Sequence, residues 1–138
     1  VGKKVPHFTA LDEDENEHDI LSVIQKKKYT LLDFSTPHCG YCTLSIPELK
    51  DISKKYNNLQ IVSISIDKNA KTWQKETEEH EIPWLRLITK EGRYSKPYMQ
   101  YEIVGTPTFF LVDAKGNLLH RWSGYEKGME KEFAHYLK

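Results

Sequence analysis

Cysteine is scarce in this chain: there are two in 138 residues, both within Cys39-Gly40-Tyr41-Cys42. Net charge is missing too. Twenty lysines and arginines cancel twenty aspartates and glutamates, so the basic footprint of a nucleic-acid binder is absent. The short runs Lys26-Lys27-Lys28 and Asp12 to Glu17 are explained by solvated loops or helix ends. No apolar stretch approaches the ~18 residues of a membrane span. Val1-Gly2-Lys3-Lys4 shows no signal-peptide pattern, as in a mature form or a shortened chain. Repeats, low-complexity tracts and linkers are also lacking. What remains is one domain, long enough to bury a core without staples. The cysteine count leaves the compartment open, because a Cys-x-x-Cys pair cycles in reducing cytosol and in oxidising exteriors alike.

The two cysteines sit where the apolar run Tyr29 to Ser35 gives way to a helical pattern. A bridge closing so small a loop removes little entropy from the unfolded chain and makes a poor staple. Exchange chemistry is therefore the better reason for the pair, and it points to a thiol–disulfide oxidoreductase.

The pattern along the chain predicts a mixed α/β sheet with helices on its faces. Phe8 to Leu11 reads as a short strand followed by an acidic turn, and Asp19 to Ile24 as a short strand or a helical turn. Thr30 to Ser35 has the length of a buried strand. Leu44, Ile46, Leu49, Ile52 and Tyr56 give a helix over Gly40 to Tyr56, and Pro47 should kink it. Leu59 to Asp67 is dense in β-branched residues and reads as a strand. Residues 69–80 suit a polar helix anchored by Trp73. Leu85 to Ile88 is a further short strand, and Tyr94 to Tyr101 a turn of helix with Pro97 in its first turn. Thr108 to Asp113 and Asn117 to Trp122 flank a hairpin turn. Met129, Phe133 and Leu137 at i, i+4 and i+8 predict a closing helix over Glu126 to Leu137.

Cys39 falls at the expected helix start, where unpaired N–H groups and the helix dipole favour an anion. Such surroundings lower a cysteine pKa from ~8.5 into the ~3.5–7.5 range. Cys42 lies one turn further in on the same face. Cys39 is thus the expected nucleophile and Cys42 the thiol that resolves the mixed disulfide. His38 and Tyr41 flank the pair; a protonated His38 would favour the thiolate, while a neutral surface imidazole would not. Asp33 lies in the strand beneath the motif, where burial should raise its pKa. It is either a proton acceptor for Cys42 or an acid paired with a lysine near the sheet edge. Thr106-Pro107 opens a strand. A cis bond there would bring Thr106 backbone groups to a sheet edge near the cysteines, ready to pair with an extended substrate; a trans proline is the commoner strand start. The aromatic residues Trp73, Trp84, Tyr94, Tyr98 and Tyr101 would line a groove or, as large side chains more often do, fill the core.

Several of these pieces carry a resemblance. Asp33 six residues before Cys39, the Cys-x-x-Cys, the helical Pro47 and Gly105-Thr-Pro-Thr-Phe-Phe-Leu-Val-Asp-Ala-Lys-Gly116 together resemble the thioredoxin superfamily. The TlpA/ResA-like branch is the most similar. Gly2 to Asp12 resembles that branch's extra N-terminal β-hairpin, and Val62 to Asp67 its second core strand. The resemblance implies a thioredoxin-like fold with a central mixed sheet, Cys39 as nucleophile, Cys42 as resolving thiol and Pro107 in cis. Substrate contacts are then expected from Thr106, Pro107, His38, Gly40 and Tyr41. It further implies a bacterial extracytoplasmic protein, anchored to the membrane upstream if at all, that reduces apocytochrome c or other exported thiols. Ser45 stands where that branch often has glutamate, Asp33 where it often has asparagine, and His38 where an aromatic is frequent. These departures favour a broader reductase. The partners implied are protein dithiols and disulfides and an upstream electron-donor dithiol protein. No dissociable cofactor or metal is required beyond the redox-active disulfide, and a monomer is expected.

Two rival chemistries use the same residues. A zinc or copper module would take Cys39, Cys42 and His38, but structural zinc normally draws four ligands from two clusters, and no second cluster exists. A thiol peroxidase would exploit Thr36, three before Cys39, and would need Arg86, Arg93 or Arg121 to polarise the peroxide.

Overall fold

The computed structural model describes residues 3–36, 39–65, 70–89 and 96–137. Its strands are β1 (Thr9–Leu11), β2 (Glu17–Asp19), β3 (Tyr29–Ser35), β4 (Leu59–Ser65), β5 (Leu85–Ile88), β6 (Thr108–Asp113) and β7 (Leu118–Ser123). They form one seven-stranded sheet in the order β2-β1-β5-β4-β3-β6-β7. The central trio β3, β4 and β5 is parallel, and β6 and β7 run antiparallel to their neighbours. The helices are α1 (Ile20–Ile24), α2 (Gly40–Lys55), α3 (Ala70–His80) and α4 (Lys96–Gln100). This is the thioredoxin-like arrangement that the resemblance implies, with β1 and β2 supplying the antiparallel N-terminal hairpin.

Alternation along the buried strands sends successive side chains to opposite faces. One face collects Leu32, Phe34, Val62, Ile64, Leu87 and Phe110, and is closed by the N-terminal segment, α1 and Tyr101. Phe8, Phe34, Tyr101 and Phe110 meet there with ring centroids 5.1–6.3 Å apart. The Tyr101 hydroxyl donates to the Pro6 carbonyl at 2.7 Å, and burial raises its pKa. The other face collects Leu31, Ile61, Phe109 and Leu111 under Leu49 and Ile52 of α2. Asp33, one residue on from Leu32, shares this second face.

Asp19 to Ile24 resolves as a helical turn: the Asp19 carboxylate accepts from the Leu21 N–H at 2.9 Å and caps it. Helix α2 runs on through Pro47 to Lys55. Trp73 is buried, as an anchor should be. Pro97 sits in the first turn of α4. Expectations for Ile66, Asp67, Asn69 and Tyr94 lie outside the described residues.

The closing segment departs from its prediction. Met129, Phe133 and Leu137 are buried against the second face as their spacing requires, but the backbone forms two 3-10 turns, Met129–Glu132 and Ala134–Leu137, in place of one helix. Local ties explain the tighter winding. Glu48 of α2 accepts from the Tyr125 hydroxyl at 2.9 Å and from the Gly128 and Glu130 N–H groups at 2.9 and 3.2 Å. Glu130 is in turn held by Lys55 and Tyr56. Replacing Glu48 by alanine removes all three acceptor contacts at once. The expected cost is about 1–2 kcal/mol in denaturant unfolding, with Glu48→Gln retaining much of the stability.

Candidate active site

The cysteine pair hangs between the C-terminal end of β3 and the start of α2, and the loop that leads into β6 closes over it. Cys39 is the N-cap residue of α2, with an extended backbone (φ −95°, ψ 106°). The Cys42 N–H donates to Cys39 Sγ at 3.2 Å, and the Thr43 N–H to the Cys39 carbonyl at 3.1 Å. A sulfur has taken the place that a serine or aspartate oxygen usually fills at a helix start. That position offers an anion both a donor and the positive end of the helix dipole. Cys39 and Cys42 are joined as a disulfide, their Cα atoms 5.2 Å apart. The two sulfurs are not equivalent: Cys42 is 9 % exposed, whereas Cys39 is half-buried and its neighbours Gly40 and Tyr41 are exposed, Tyr41 at 62 %.

The Thr106–Pro107 peptide bond is cis, as the resemblance implies. The Thr106 carbonyl oxygen lies 3.5 Å from Cys39 Sγ. The loop is braced from three sides. Thr106 and Thr36 share a hydroxyl–hydroxyl hydrogen bond of 2.9 Å, the Thr108 hydroxyl donates to the Gly105 carbonyl at 2.6 Å, and the Gly124 N–H donates to the Pro107 carbonyl at 2.8 Å. Val104, just ahead of it, is 92 % exposed. Beside Tyr41 an open groove of about 560 Å³ is lined by Trp122, Tyr125 and Met129. Of the aromatics considered above, Trp73 and Tyr101 fill the core; the groove by the cysteines draws on Tyr41, Trp122 and Tyr125. His38 lies outside the described residues.

Asp33 is buried below the pair. Its Oδ2 accepts from the Ser63 hydroxyl at 2.9 Å, and Ser63 accepts from the Trp84 indole N–H at 2.8 Å. Oδ1 has no hydrogen-bond partner among the described residues. Burial pushes the Asp33 pKa up to about 6, against opposing pulls from the Ser63 hydrogen bond and the Arg86 charge. Among the described residues no lysine is paired with it. Asp33 and Cys42 both line a small cavity of about 30 Å³, roughly the volume of one water molecule. Ser45, also buried, donates its hydroxyl to the Cys42 carbonyl at 2.7 Å, which fixes a backbone group beside the pair. Sequence reasoning missed Ser63, and it named Trp84 only as a groove or core aromatic and Arg86 only as a candidate to polarise peroxide, not as neighbours of Asp33. The one available signal was an arginine interrupting the apolar run Trp84 to Ile88.

Among the described residues no group of three His, Cys, Asp or Glu side chains is placed to hold a metal ion, and no helix is long and apolar enough to cross a membrane. The redox centre is the disulfide itself.

A family model described as thioredoxin-like domain matches residues 17–138. The thiol-disulfide oxidoreductase ResA of Bacillus thuringiensis subsp. konkukian is 22% identical over 140 residues, covering 100% of this chain and 77% of its own length. A thioredoxin of Buchnera aphidicola subsp. Baizongia pistaciae is 41% identical over 82 residues, 54% of this chain and 74% of that protein. The crystal structure of a thioredoxin domain of a thiol-disulfide oxidoreductase from Bacteroides vulgatus superposes with a TM-score of 0.87 at 23% identity, covering 99% of this chain and 97% of that one. The chain belongs to the thioredoxin-like domain family, and within it is a thiol–disulfide oxidoreductase whose paired cysteines are Cys39 and Cys42.

Proposed function

We propose that the protein reduces or exchanges disulfides in protein partners, with Cys39 as the nucleophile and Cys42 as the resolving thiol. The observation that carries this reading is the unequal placement of the two sulfurs. Cys39 caps the helix and accepts the Cys42 N–H, while Cys42 is buried behind it. In the reduced state the Cys39 thiolate attacks one sulfur of a substrate disulfide. A Cys39–substrate bond forms, and the other substrate sulfur leaves as a thiolate. Cys42 then gives its proton to Asp33 and attacks Cys39 Sγ. The Cys39–Cys42 bond closes and the second substrate sulfur departs with its electron pair. Two electrons have passed to the substrate, and another dithiol protein must restore them.

The exposed edge at Val104 to Thr106 suits an extended substrate strand, with Thr106 offering backbone groups and Pro107 closing the edge. Gly40 lets that strand approach the sulfur, and Tyr41, with His38, would contact its flanks. A peroxidase is less well supported. Arg86 lies on the buried side, towards Cys42, and Arg121 donates to the carbonyls of Tyr101 and Glu102. The reading takes the chain as one domain acting as a monomer. On the strength of the ResA-like resemblance it also places the protein outside the bacterial cytoplasm.

Alkylation of the reduced protein at neutral pH tests the assignment. Mass mapping should find Cys39 modified first and Cys42 spared. Preferential modification of Cys42 would reverse the two roles, and inertness of both would end the proposal.

A further inference from the structure

Sheet register sets Asp33 on β3, Ser63 on β4 and Arg86 on β5 in one row, and residues directly opposite one another on paired strands share a face. Trp84, in the bend just ahead of β5, brings its indole to the Ser63 hydroxyl. An indole N–H only donates, and a serine hydroxyl carries a single hydrogen. Ser63 Oγ therefore accepts from Trp84 Nε1 at 2.8 Å, and its one hydrogen goes to Asp33 Oδ2 at 2.9 Å. The chain has one direction, from Trp84 through Ser63 to Asp33. It holds Oδ2 as an acceptor: a proton on that oxygen would confront the Ser63 hydrogen, and turning that hydrogen away breaks the chain. Oδ1 is different. It has no partner among the described residues, although Asp33 is buried and lines the small cavity with Cys42. A buried carboxylate oxygen left without a partner is costly and calls for an explanation. Ser63 and Trp84 line the same cavity, as do the charged Arg86 of β5 and the titratable His80 of α3.

We propose that Trp84 and Ser63 are positioning residues for the resolving step: by holding Oδ2 as an acceptor they make Oδ1 the oxygen that takes the Cys42 proton, and they keep Asp33 ionised to receive it. The proposal rests on the reading of Cys42 as the resolving thiol and Asp33 as its proton acceptor. The Cys42 proton passes to Oδ1. The Cys39–Cys42 bond forms as the bond from Cys39 to the substrate sulfur breaks, and that sulfur leaves with the electron pair. Trp84 and Ser63 exchange nothing. A hydrogen bond given to the charged form of an acid favours that form, and the Ser63 bond does pull the Asp33 pKa down against burial. Without the indole donor the Ser63 hydroxyl is free to turn and accept from a protonated Asp33, which favours the neutral acid. Trp84 thus reaches Asp33 only through Ser63. Because Trp84 also packs against the second core face, its test has to separate the N–H from the ring.

Rapid mixing of the reduced protein with a bis(nitrobenzoate) disulfide separates capture from displacement. The first coloured thiolate released reports attack by Cys39, and the second reports displacement by Cys42. In Ser63→Ala the pH midpoint of the second phase is expected to rise by about one pH unit, which slows that phase about tenfold below the midpoint. Trp84→Phe should raise it by about half as much, a roughly threefold slowing. The first phase should keep its rate in both. Trp84→Phe added to Ser63→Ala should move the midpoint no further, because the indole acts through the hydroxyl. Should Trp84→Phe not fold, benzothienylalanine at position 84 keeps the bicyclic ring, lacks only the N–H, and carries the same expectation. Arg86 stays in place in every variant, and a parallel series in a His80→Gln background should show the same displacements. An unmoved midpoint in a folded position-84 variant, displacements that add in the double variant, or displacements that vanish without His80 would each overturn the proposal. A second phase whose pH profile is unchanged in Asp33→Asn would instead remove Asp33 as the acceptor, and absence of the first phase in the unsubstituted protein would remove Cys39 as the nucleophile. Failure of the proposal and failure of the reading beneath it are thus distinguishable.

Discussion

Protein carrying Cys42→Ser is expected to accumulate as covalent adducts with its substrates, visible as bands on non-reducing gels that collapse on adding a reductant. Cys39 still accepts the helix-start donor once its neighbour is an alcohol, because the Cys42 contact that reaches it is a backbone N–H at 3.2 Å. Capture therefore survives the substitution. Displacement does not, since a hydroxyl at that depth cannot replace a thiolate as the attacking group. Cys39→Ser should give the opposite result: no adducts, and turnover at background. A double substitution should resemble Cys39→Ser, as expected for two groups acting in sequence on one sulfur. Adducts formed by Cys39→Ser and absent from Cys42→Ser would exchange the two roles. Adducts from neither would leave the pair without the proposed chemistry.

The second large effect concerns stability and has the reverse sign from most substitutions. Asp33 ionises at about 6 in the folded protein against 3.8 for an ordinary aspartate. The folded state thus holds its proton more tightly than the unfolded chain does. Below pH ~4 both states carry the proton and the residue contributes no pH dependence. As pH rises from about 4 to about 6 the unfolded chain releases its proton first, and stability is lost progressively. Above about 6 the loss is complete, at about 3 kcal/mol. The attraction of Arg86 is already contained in that value. Asp33→Asn keeps an acceptor for Ser63 and carries no charge, so it should be more stable than the unsubstituted protein at pH 7 by up to about 3 kcal/mol. The gain should shrink towards zero near pH 4. Denaturant unfolding of both proteins at a series of pH values checks this, and the difference between them cancels the opposite contributions of Asp12, Asp19 and Glu130, whose pKa values are lowered. A difference independent of pH would show that Asp33 is not the buried acid described. The same variant should slow resolution, which gives a reason for keeping a costly group in the centre of the sheet.

How much of this was legible in the residues depends on the range of the interaction. The Cys39–Cys42 pair, the strand beneath it and the β6–β7 hairpin are written in short segments, and each formed where its pattern placed it. Asp33 stood out because a charge in an apolar strand is a local anomaly. Its surroundings were invisible. That Ser63 donates to it, and that Arg86 lies in the same row, are facts of register between strands thirty and fifty-three residues away in sequence. No window along the chain contains them. The closing segment failed differently: burial of Met129, Phe133 and Leu137 follows from their spacing, yet that spacing also fits a tighter winding once Glu48, eighty residues or so upstream, claims the backbone donors. Periodicity reports which side chains go inward, and it is silent on how the intervening backbone is held.

The opening residues join parts of the sheet that never touch. The Val5 N–H donates to the Gly116 carbonyl and the Lys3 carbonyl accepts from Leu118, both at the β6–β7 turn; a few residues later Leu11 pairs with Ile88 of β5. Three strands separate these two moorings, and the chain between them carries Val5 and Phe8 down into the aromatic layer. Such a strap ties the two flanks mechanically. Amide hydrogens of β5 and β7 should therefore begin to exchange together when the strap is severed, although no contact links those strands directly.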